Sequence, residues 1–263
     1  MSFYRKIPRL LRAPYEYWAN LSSFALFGFG GLVFTLVSAL LYPILPRHIG
    51  VRVGRRTIHY LFRIFIAYVG FWRVIRFDIK AVDALRGKKG IIIAPNHVSL
   101  IDAVFIMARL PEVACIMKAK IWDNPFLGGG ARLAGFIRND SPGNMVKLAA
   151  EELKRGAPLL VFPEGTRMEK PPLNPFKGGF ALIAKRAGAP VQSVFIEADS
   201  RFLGKRWSFL KLPPNMPIHY KVRVGEVFEI GEEETTKVFI ERMESYYRDE
   251  LKDVYASEIF QRR

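Results

Sequence analysis

The residues best suited to do chemistry are a histidine and an aspartate five positions apart, His97 and Asp102, in the segment NHVSLID. Inside one helix, two residues at this spacing would diverge by about 140°. If the histidine lies in a loop and the aspartate in the first turn of the following helix, the carboxylate can fold back to the imidazole. A carboxylate on one ring nitrogen fixes the tautomer and leaves the other nitrogen free to take a proton from a hydroxyl. We therefore predict a general base and its partner.

The surrounding sequence predicts this loop-to-helix arrangement. The apolar run Gly90–Ala94 indicates a buried strand, which Pro95 ends. Ser99 and Asp102 fit the S-x-x-[DE] pattern of a capping box, so we expect a helix to begin at Leu100. The alternative is a capped helix whose loop merely contains a histidine.

A second motif, FPEGTR at 162–167, follows another apolar strand at 158–161. Together the two motifs resemble the glycerolipid acyltransferase family, whose members include 1-acyl-glycerol-3-phosphate acyltransferases of the bacterial PlsC type. The resemblance runs from about Ile91 to Ile196. Two such motifs in this order, each leaving a strand, are a specific signal, whereas either motif alone would be only a hypothesis.

The resemblance implies that Glu164, Gly165, Thr166 and Arg167 help to form the phosphate site of the acceptor. Gly165 would let backbone N–H groups approach an anion, and Arg167 offers a forked donor that matches phosphate oxygens. Glu164 cannot bind phosphate by itself, so we expect it to orient Arg167 or a neighbouring amide. A simple turn with an ion pair is the alternative.

The family has a looser pattern between the two motifs, K…P…G-x-I-x-R. The residues that match it are Lys118, Pro125, Gly135, Ile137 and Arg138. We place Lys118 and Arg138 in the substrate-binding set, together with Asn96 beside the catalytic histidine. Arg138 would add a second phosphate contact, and a solvated surface arginine is the alternative.

One strand departs from the family pattern, which usually reads Pro-Val-Val-Pro-Val. Here Pro190 is kept, but Gln192 and Ser193 occupy positions where valine and proline are common. This departure leaves the headgroup of the acceptor open, because polar groups at these positions could accommodate a different one. Relatives with the same two core motifs acylate ornithine lipids and other lyso-lipids.

The composition favours a membrane partner. The 263 residues carry a net charge of +16, and 50% of them are hydrophobic. Positive charge combined with apolar surface suits a membrane rich in anionic lipid, whereas nucleic-acid-binding proteins are seldom this apolar. The single cysteine, Cys115, excludes an intramolecular disulfide and is expected to be buried. No histidine or cysteine cluster has zinc spacing, so we predict neither a metal nor a cofactor.

The N-terminal segment 17–46 contains no charged residue. Gly28, Gly30 and Gly31 fall near its centre, and each half, at about 21 Å, is too short for a hydrocarbon core of about 30 Å. Basic clusters flank both ends, which disfavours a single span. We therefore predict a membrane-embedded helical hairpin within residues 1–75, followed by an α/β acyltransferase domain over residues 76–263. Arg52–Arg76 predicts an interfacial helix, or alternatively a core helix with snorkelling arginines.

The remainder alternates strands and helices, which predicts an α/β fold with a mostly parallel sheet flanked by helices. The predicted strands are Arg76–Val82, Gly90–Ala94, Val113–Met117, Phe136–Arg138, Leu159–Phe162, Pro190–Ile196 and Ile218–Val224. The predicted helices are Leu100–Leu110, Gly143–Arg155, Gly179–Ala187 and Glu232–Asp253.

These inferences combine into a functional prediction. No G-x-S-x-G elbow occurs, and Ser99 is better explained as a helix cap than as a nucleophile, so the acceptor would attack the acyl donor directly. We predict an acyltransferase at the cytoplasmic face of a bacterial inner membrane. It would move a fatty acyl group from acyl carrier protein or acyl-CoA to the free hydroxyl of a lysophospholipid such as 1-acyl-glycerol-3-phosphate. Another lyso-lipid, such as lyso-ornithine lipid, and a non-catalytic membrane scaffold are the alternatives.

Overall fold

The computed structural model describes residues 9–208, 211–213 and 216–255. Two long helices come first, and strands alternate with helices thereafter. The helices are α1 (Arg9–Ile44), α2 (Arg47–Phe71), α3 (Asp102–Met107), α4 (Ala119–Trp122), α5 (Gly128–Leu133), α6 (Pro142–Lys154), α7 (Gly179–Ala187) and α8 (Thr236–Leu251). The strands are β1 (Ile75–Asp78), β2 (Ile92–Pro95), β3 (Ala114–Lys118), β4 (Ile137–Asn139), β5 (Leu159–Leu160), β6 (Val191–Ala198) and β7 (Ile218–Phe228).

The strands form one seven-stranded sheet in the order β1-β7-β6-β2-β5-β3-β4. All neighbours are parallel except β6 and β7, which confirms the predicted mostly parallel α/β fold. Right-handed crossovers place α3 and α5 on one face of this sheet and α6 and α7 on the other. Helix α2 packs on α3 and α5, α1 packs on α2 and α5, and α8 packs on α7. The two N-terminal helices therefore cover one face only.

Every predicted strand and helix of the α/β part is present, with shifts of a few residues at its ends. The short helices α4 and α5 were not predicted. They come from the stretch Ala119–Leu133, whose length gives no clear helical period and whose centre is the run Gly128–Gly130.

The predicted break of the N-terminal segment at its glycines is wrong. Helix α1 continues without interruption through Gly28, Gly30 and Gly31, and the chain reverses only at Leu45 and Pro46. The helical pair is thus α1 with α2. Gly31 serves packing instead, because a Cβ there would lie 2.7 Å from the carbonyl oxygen of Phe126.

Helix α1 lies along the α/β domain over much of its length. Its Trp18 packs edge-on against Trp72 at 4.3 Å, and Phe24 lies 6.4 Å from Phe202 between ring centroids. Among the described residues, the segment Arg12–Ile44 is the one helix long and apolar enough to cross a membrane. Its outward face exposes large apolar side chains: Trp18, Leu21, Phe29, Val33, Leu36 and Leu40.

Helix α2 combines the two explanations offered for its arginines. Arg55 is buried, where it pairs with Glu152 at 2.7 Å and donates to the carbonyl oxygen of Ala134 at 3.0 Å. The exposed side instead mixes arginines with large apolar residues. These exposed residues are Ile49, Arg52, Arg56, Tyr60, Arg63, Ile64 and Phe71. This side has the composition of an interfacial helix.

Gln192 and Ser193 do not form a headgroup site, so that prediction is wrong. Both side chains are buried at a β-bulge between β6 and β7. The Gln192 amide donates to the carbonyl oxygen of Gly225 at 2.7 Å, and the Ser193 hydroxyl donates to that of Glu226 at 2.8 Å. The two polar residues satisfy carbonyls that the bulge leaves outside the ladder.

Helix α8 fastens two central strands through Tyr247, which is fully buried. Its hydroxyl donates to the carbonyl oxygen of Ala94 on β2 and accepts the N–H of Val194 on β6 at 3.1 Å. One side chain therefore completes the hydrogen bonds of both strands where β2 leads into the His97 loop.

The first prediction tests this contact. Tyr247→Phe leaves a buried carbonyl and a buried N–H unpaired, so we expect it to lower the free energy of unfolding by about 1–3 kcal/mol. Tyr246→Phe is the matched control, because the Tyr246 hydroxyl accepts the N–H of Glu226 near the surface and has no other hydrogen-bond partner among the described residues. Denaturant unfolding of the purified proteins measures both. Equal losses in the two variants would contradict the bridging role.

Candidate active site

His97 lies in the loop between β2 and α3, and Asp102 is the first residue of α3. The imidazole Nδ1 lies 2.8 Å from Oδ2 of Asp102. Because a carboxylate can only accept, Nδ1 carries the proton and Nε2 keeps its lone pair. Asp102 is fully buried, whereas the His97 side chain is 18% exposed. The pair therefore presents a basic nitrogen at the edge of the interior.

The local helix start differs from the capping-box prediction. Helix α3 begins at Asp102 rather than at Leu100, and Ser99 does not cap it. Only the carboxylate half of the box forms, since Asp102 Oδ2 accepts the Ser99 N–H at 2.8 Å. The buried Ser99 hydroxyl instead donates to the carbonyl oxygen of Phe202 at 3.0 Å. Burial raises the pKa of Asp102, and its hydrogen bonds with His97 and Ser99 oppose that rise.

The second motif holds the main chain of His97 on both sides. The His97 N–H donates to Oε1 of Glu164 at 2.7 Å, and the His97 carbonyl oxygen accepts the Met168 N–H at 2.6 Å. The imidazole also stacks on Phe162, with 4.0 Å between ring centroids and 23° between planes. The two sequence motifs thus form one structural unit.

Glu164 is buried and contacts backbone N–H groups rather than Arg167. Its second oxygen accepts the N–H of Asn174 at 2.9 Å. Burial raises the pKa of Glu164 from its ordinary 4.5 to about 8, while the N–H groups of His97 and Asn174 act in the opposite direction.

Asn174 is a site residue that sequence reasoning missed. Its amide donates to the carbonyl oxygens of Arg167 at 3.1 Å and Thr166 at 3.4 Å, and its side-chain oxygen accepts the N–H of Glu169 at 3.0 Å. It therefore fixes the turn that carries the second motif. An asparagine among prolines gives no sequence signal for this role.

Arg167 is anchored by the loop that follows β6. Its Nη1 donates to the carbonyl oxygens of Leu203 at 2.8 Å and Gly204 at 3.0 Å. Leu203 itself has a left-handed φ of 57°, a conformation that costs free energy for a side-chain-bearing residue. Burial lowers the pKa of Arg167, and the charge of Asp102 opposes this. One end of the guanidinium is fixed, and its other donors have no hydrogen-bond partner among the residues that the structure describes.

Two lysines lie beside the same turn. The pairing of Cys115 with Leu160 carries Lys118, three residues further along β3, to the level of Pro163. Lys177 donates its N–H to the carbonyl oxygen of Pro163 at 2.8 Å, and its side chain lies over Gly165. Gly165 has a φ of 65°, so the turn itself also favours glycine here.

A cluster of cations therefore surrounds the FPEGTR turn. Burial lowers the pKa of Lys118, and the positive charges of Arg167, Lys177 and Lys205 lower it further. Sequence reasoning missed Lys177 and Lys205. The segment Phe176–Gly179, FKGG, was the available signal for Lys177, because a lysine beside paired glycines before a helix suits an anion.

Two predicted substrate contacts have other roles. Asn96 is buried, and its amide donates to the carbonyl oxygen of Ile196 at 2.9 Å and accepts that residue's N–H at 2.6 Å, so it joins β2 to β6. Arg138 lies on the edge strand β4, about 14 Å from β2. It pairs there with Asp123 at 3.2 Å and Asp140 at 2.8 Å. Neither side chain is free to bind a phosphate at the motif. Thr166 is half-buried, and its substrate contact stays a prediction.

No group of three or more histidine, cysteine, aspartate or glutamate side chains could hold a metal within the part of the chain that the structure describes. Cys115 is buried, and burial raises the pKa of its thiol to about 12. The thiol is therefore unsuited to act as a nucleophile.

Comparison with known proteins finds similarity to acyltransferases. Residues 76–197 match the family model described as Acyltransferase. The chain is 34% identical to a 1-acyl-sn-glycerol-3-phosphate acyltransferase of Helicobacter pylori, over 40% of this chain and 47% of that protein. It is 38% identical to a lyso-ornithine lipid O-acyltransferase of Pseudomonas aeruginosa, over 41% of this chain and 46% of that protein.

A solved structure resembles the whole fold. The crystal structure of the 1-acyl-sn-glycerophosphate acyltransferase PlsC from Thermotoga maritima matches with a TM-score of 0.63 at 19% identity, covering 92% of this chain and 99% of that one. The chain spans about half the length of the curated relatives it matches. The resemblance to glycerolipid acyltransferases that the two motifs predicted is confirmed.

The second prediction concerns Glu164. Below about pH 4.5 its carboxyl is protonated in both states, and between about 4.5 and 8 only the folded chain keeps the proton. Stability should therefore fall as pH rises through this window, by at most about 1.4 kcal/mol per pH unit. Glu164→Gln cannot titrate and should lose this part of the slope.

Denaturant unfolding of wild type and variant at several pH values between 4.5 and 8 measures the difference. Glu232→Gln is the matched control, since that side chain is exposed and should leave the slope unchanged. Identical slopes in wild type and Glu164→Gln would contradict the raised pKa.

Proposed function

We propose that this protein is a membrane-associated acyltransferase that esterifies the free hydroxyl of a lysophospholipid, with His97 as general base. The observation that carries the proposal is the His97–Asp102 pair. The second motif holds the main chain of His97, and a cluster of cations surrounds that motif. A base and an anion site within one unit suit a substrate that carries both a hydroxyl and a phosphate.

In the proposed reaction, Nε2 of His97 takes the hydroxyl proton of the acceptor while the hydroxyl oxygen attacks the thioester carbonyl carbon of the donor. The tetrahedral intermediate collapses, the carbon–sulfur bond breaks, and the protonated imidazole returns the proton to the leaving thiolate. Asp102 stabilises the transient positive charge on the imidazole. Ser99 is buried and donates to a carbonyl, which supports direct transfer without an acyl-enzyme. The donor would be acyl carrier protein or acyl-CoA, both of which present a thioester.

The charge around the site favours a phosphate-bearing acceptor such as 1-acyl-glycerol-3-phosphate. Arg167, Lys118 and Lys177 border one turn, and a phosphate would compensate their charges. Lyso-ornithine lipid is the second candidate, and the similarity to the Pseudomonas aeruginosa O-acyltransferase favours it. Its ornithine headgroup combines a carboxylate with an ammonium and so offers the cations less net negative charge than a phosphate monoester does, and we place this acceptor second. A non-catalytic scaffold would have no need of the buried Asp102 aligned on His97.

We further propose that residues 1–75 anchor residues 76–263 to one leaflet, at the cytoplasmic face of a bacterial inner membrane. The outward face of α1 is apolar, and α1 contacts the domain from Phe24 to Thr35, so it is not free to project across a bilayer. The exposed arginines of α2 would lie at headgroup depth. This mixture of cations and large apolar groups suits lipid rather than nucleic acid.

The third prediction tests the general base. His97→Ala and Asp102→Asn should each lower kcat by about 10²–10⁴-fold, because the base or its orienting carboxylate is lost. Transfer of a radiolabelled acyl group from donor to 1-acyl-glycerol-3-phosphate by purified enzyme measures the rate. His219→Ala is the matched control, since His219 is exposed on β7. Near-normal turnover in His97→Ala would sink the mechanism.

The fourth prediction tests the membrane topology. Ala13 lies near the start of α1, and His48 lies just beyond the other end of α1, in the first turn of α2. Both residues are exposed, and a one-leaflet arrangement keeps both on the cytoplasmic side. Single cysteines at these positions, in a Cys115→Ala background, should both resist a membrane-impermeant reagent in intact spheroplasts. Both should react after the membrane is opened. Labelling of one position with protection of the other would establish a single span instead.

A further inference from the structure

Lys177 carries a positive charge that no described residue neutralises. Its backbone N–H is fixed to the carbonyl oxygen of Pro163 at 2.8 Å, and its side chain crosses over Gly165. A Cβ built on Gly165 would lie 2.9 Å from Cδ and 3.6 Å from Nζ of this lysine. The ammonium is therefore held against the glycine of the second motif, at the exposed side of the turn.

The neighbouring cations differ in how far they are already used. Lys205 forms an ion pair with Glu169, and one terminal nitrogen of Arg167 donates to two backbone carbonyl oxygens. Lys118 and Lys177 have neither a hydrogen bond nor an ion pair from their ammonium groups to any residue in the described ranges. Two unpaired ammonium groups beside one turn repel each other, and an anion between them would remove that cost.

We propose that Lys177 is a specificity-determining residue, whose ammonium binds the second negative charge of a dianionic phosphate monoester on the acceptor. This inference rests on the proposed acyltransferase function and deepens it. It selects a lysolipid with a terminal phosphate over lysophospholipids whose phosphate is a diester, and over a lyso-lipid without phosphate.

The positions of the cations support this selection. Arg167 is held by the loop at Leu203, and Phe202 of this loop contacts Phe24 of α1, so Arg167 is fixed from the face that α1 covers. Lys177 instead leads into α7, which lies on the opposite face of the sheet. They therefore approach a phosphate at the turn from different sides. A phosphodiester carries one charge, and its ester substituent would occupy one of these sides. A monoester can face both cations with charged oxygens.

The test compares two acceptors that differ in this charge and in one added methyl group, 1-acyl-glycerol-3-phosphate and its phosphate monomethyl ester. Lys177→Gln should lower kcat/KM for the monoester by about 10- to 100-fold, the loss typical of one charge-assisted hydrogen bond, and change the methyl ester little. Binding of the methyl ester is read from its competition with the monoester, so it is measured whether or not it is acylated. Lys177→Arg should restore most of the selectivity, and Lys147→Gln, an exposed lysine on α6, is the matched control.

Each other outcome counts against the proposal. Equal losses for both acceptors would indicate a structural role, and no loss for either would remove Lys177 from the site. A rise confined to the KM of the donor thioester would assign Lys177 to the donor. Failure of the proposed function is distinguishable, because wild-type enzyme would then acylate neither lysolipid.

Discussion

The site depends on the grip of the segment 162–168 on the main chain of His97. The buried carboxyl group of Glu164 accepts the His97 N–H, and the Met168 N–H donates to the His97 carbonyl oxygen. Burying Glu164 is costly, and the two N–H groups that its oxygens accept offset the cost. Because the contact passes through backbone atoms, it fixes the loop itself, and Asp102 then needs only to orient the ring. The His97–Asp102 pair and the turn at 164–167 consequently cannot move independently of each other.

This grip is possible only because β2 and β5 are parallel neighbours at the centre of the sheet. Their pairing, with Ile93 opposite Leu160, brings the two carboxyl ends to the same edge, where both motif loops emerge. Asn96 and Tyr247 then fasten β2 to β6 on its other side. Three buried polar side chains, including Glu164, thus serve to position one imidazole. The sheet brings the two loops together, and the polar contacts fix their final positions.

The sequence contained the parts whose signal is local. Apolar runs predicted the strands, and the two motifs predicted His97, Asp102 and the turn at 164–167, because residue type and spacing alone carry that information. Contacts between segments that are distant in the chain could not be predicted from these local signals. Asn174 acts through four hydrogen bonds around a loop, and Arg138 is taken by two aspartates on an edge strand. Gly31 of α1 was misjudged for the same reason, since its packing depends on the loop at Phe126, which is far away in the chain.

The topology also gives the two sides of the site different neighbours. Arg167 connects through Leu203 and Phe202 to Phe24 of the apolar helix α1, whereas Lys177 leads into α7 and, beyond it, α8, whose exposed side is polar. Right-handed crossovers produce this difference. The chain passes through α3 and α5 as it moves across the sheet from β2 to β4, and through α6 and α7 as it returns from β4 to β6, so the two pairs of helices lie on opposite faces. His97 lies at the edge between these faces. The proposed transfer, from a thioester arriving from water to a lipid seated in a bilayer, would use such an edge, because the acceptor would reach the proposed base from one side without blocking the other.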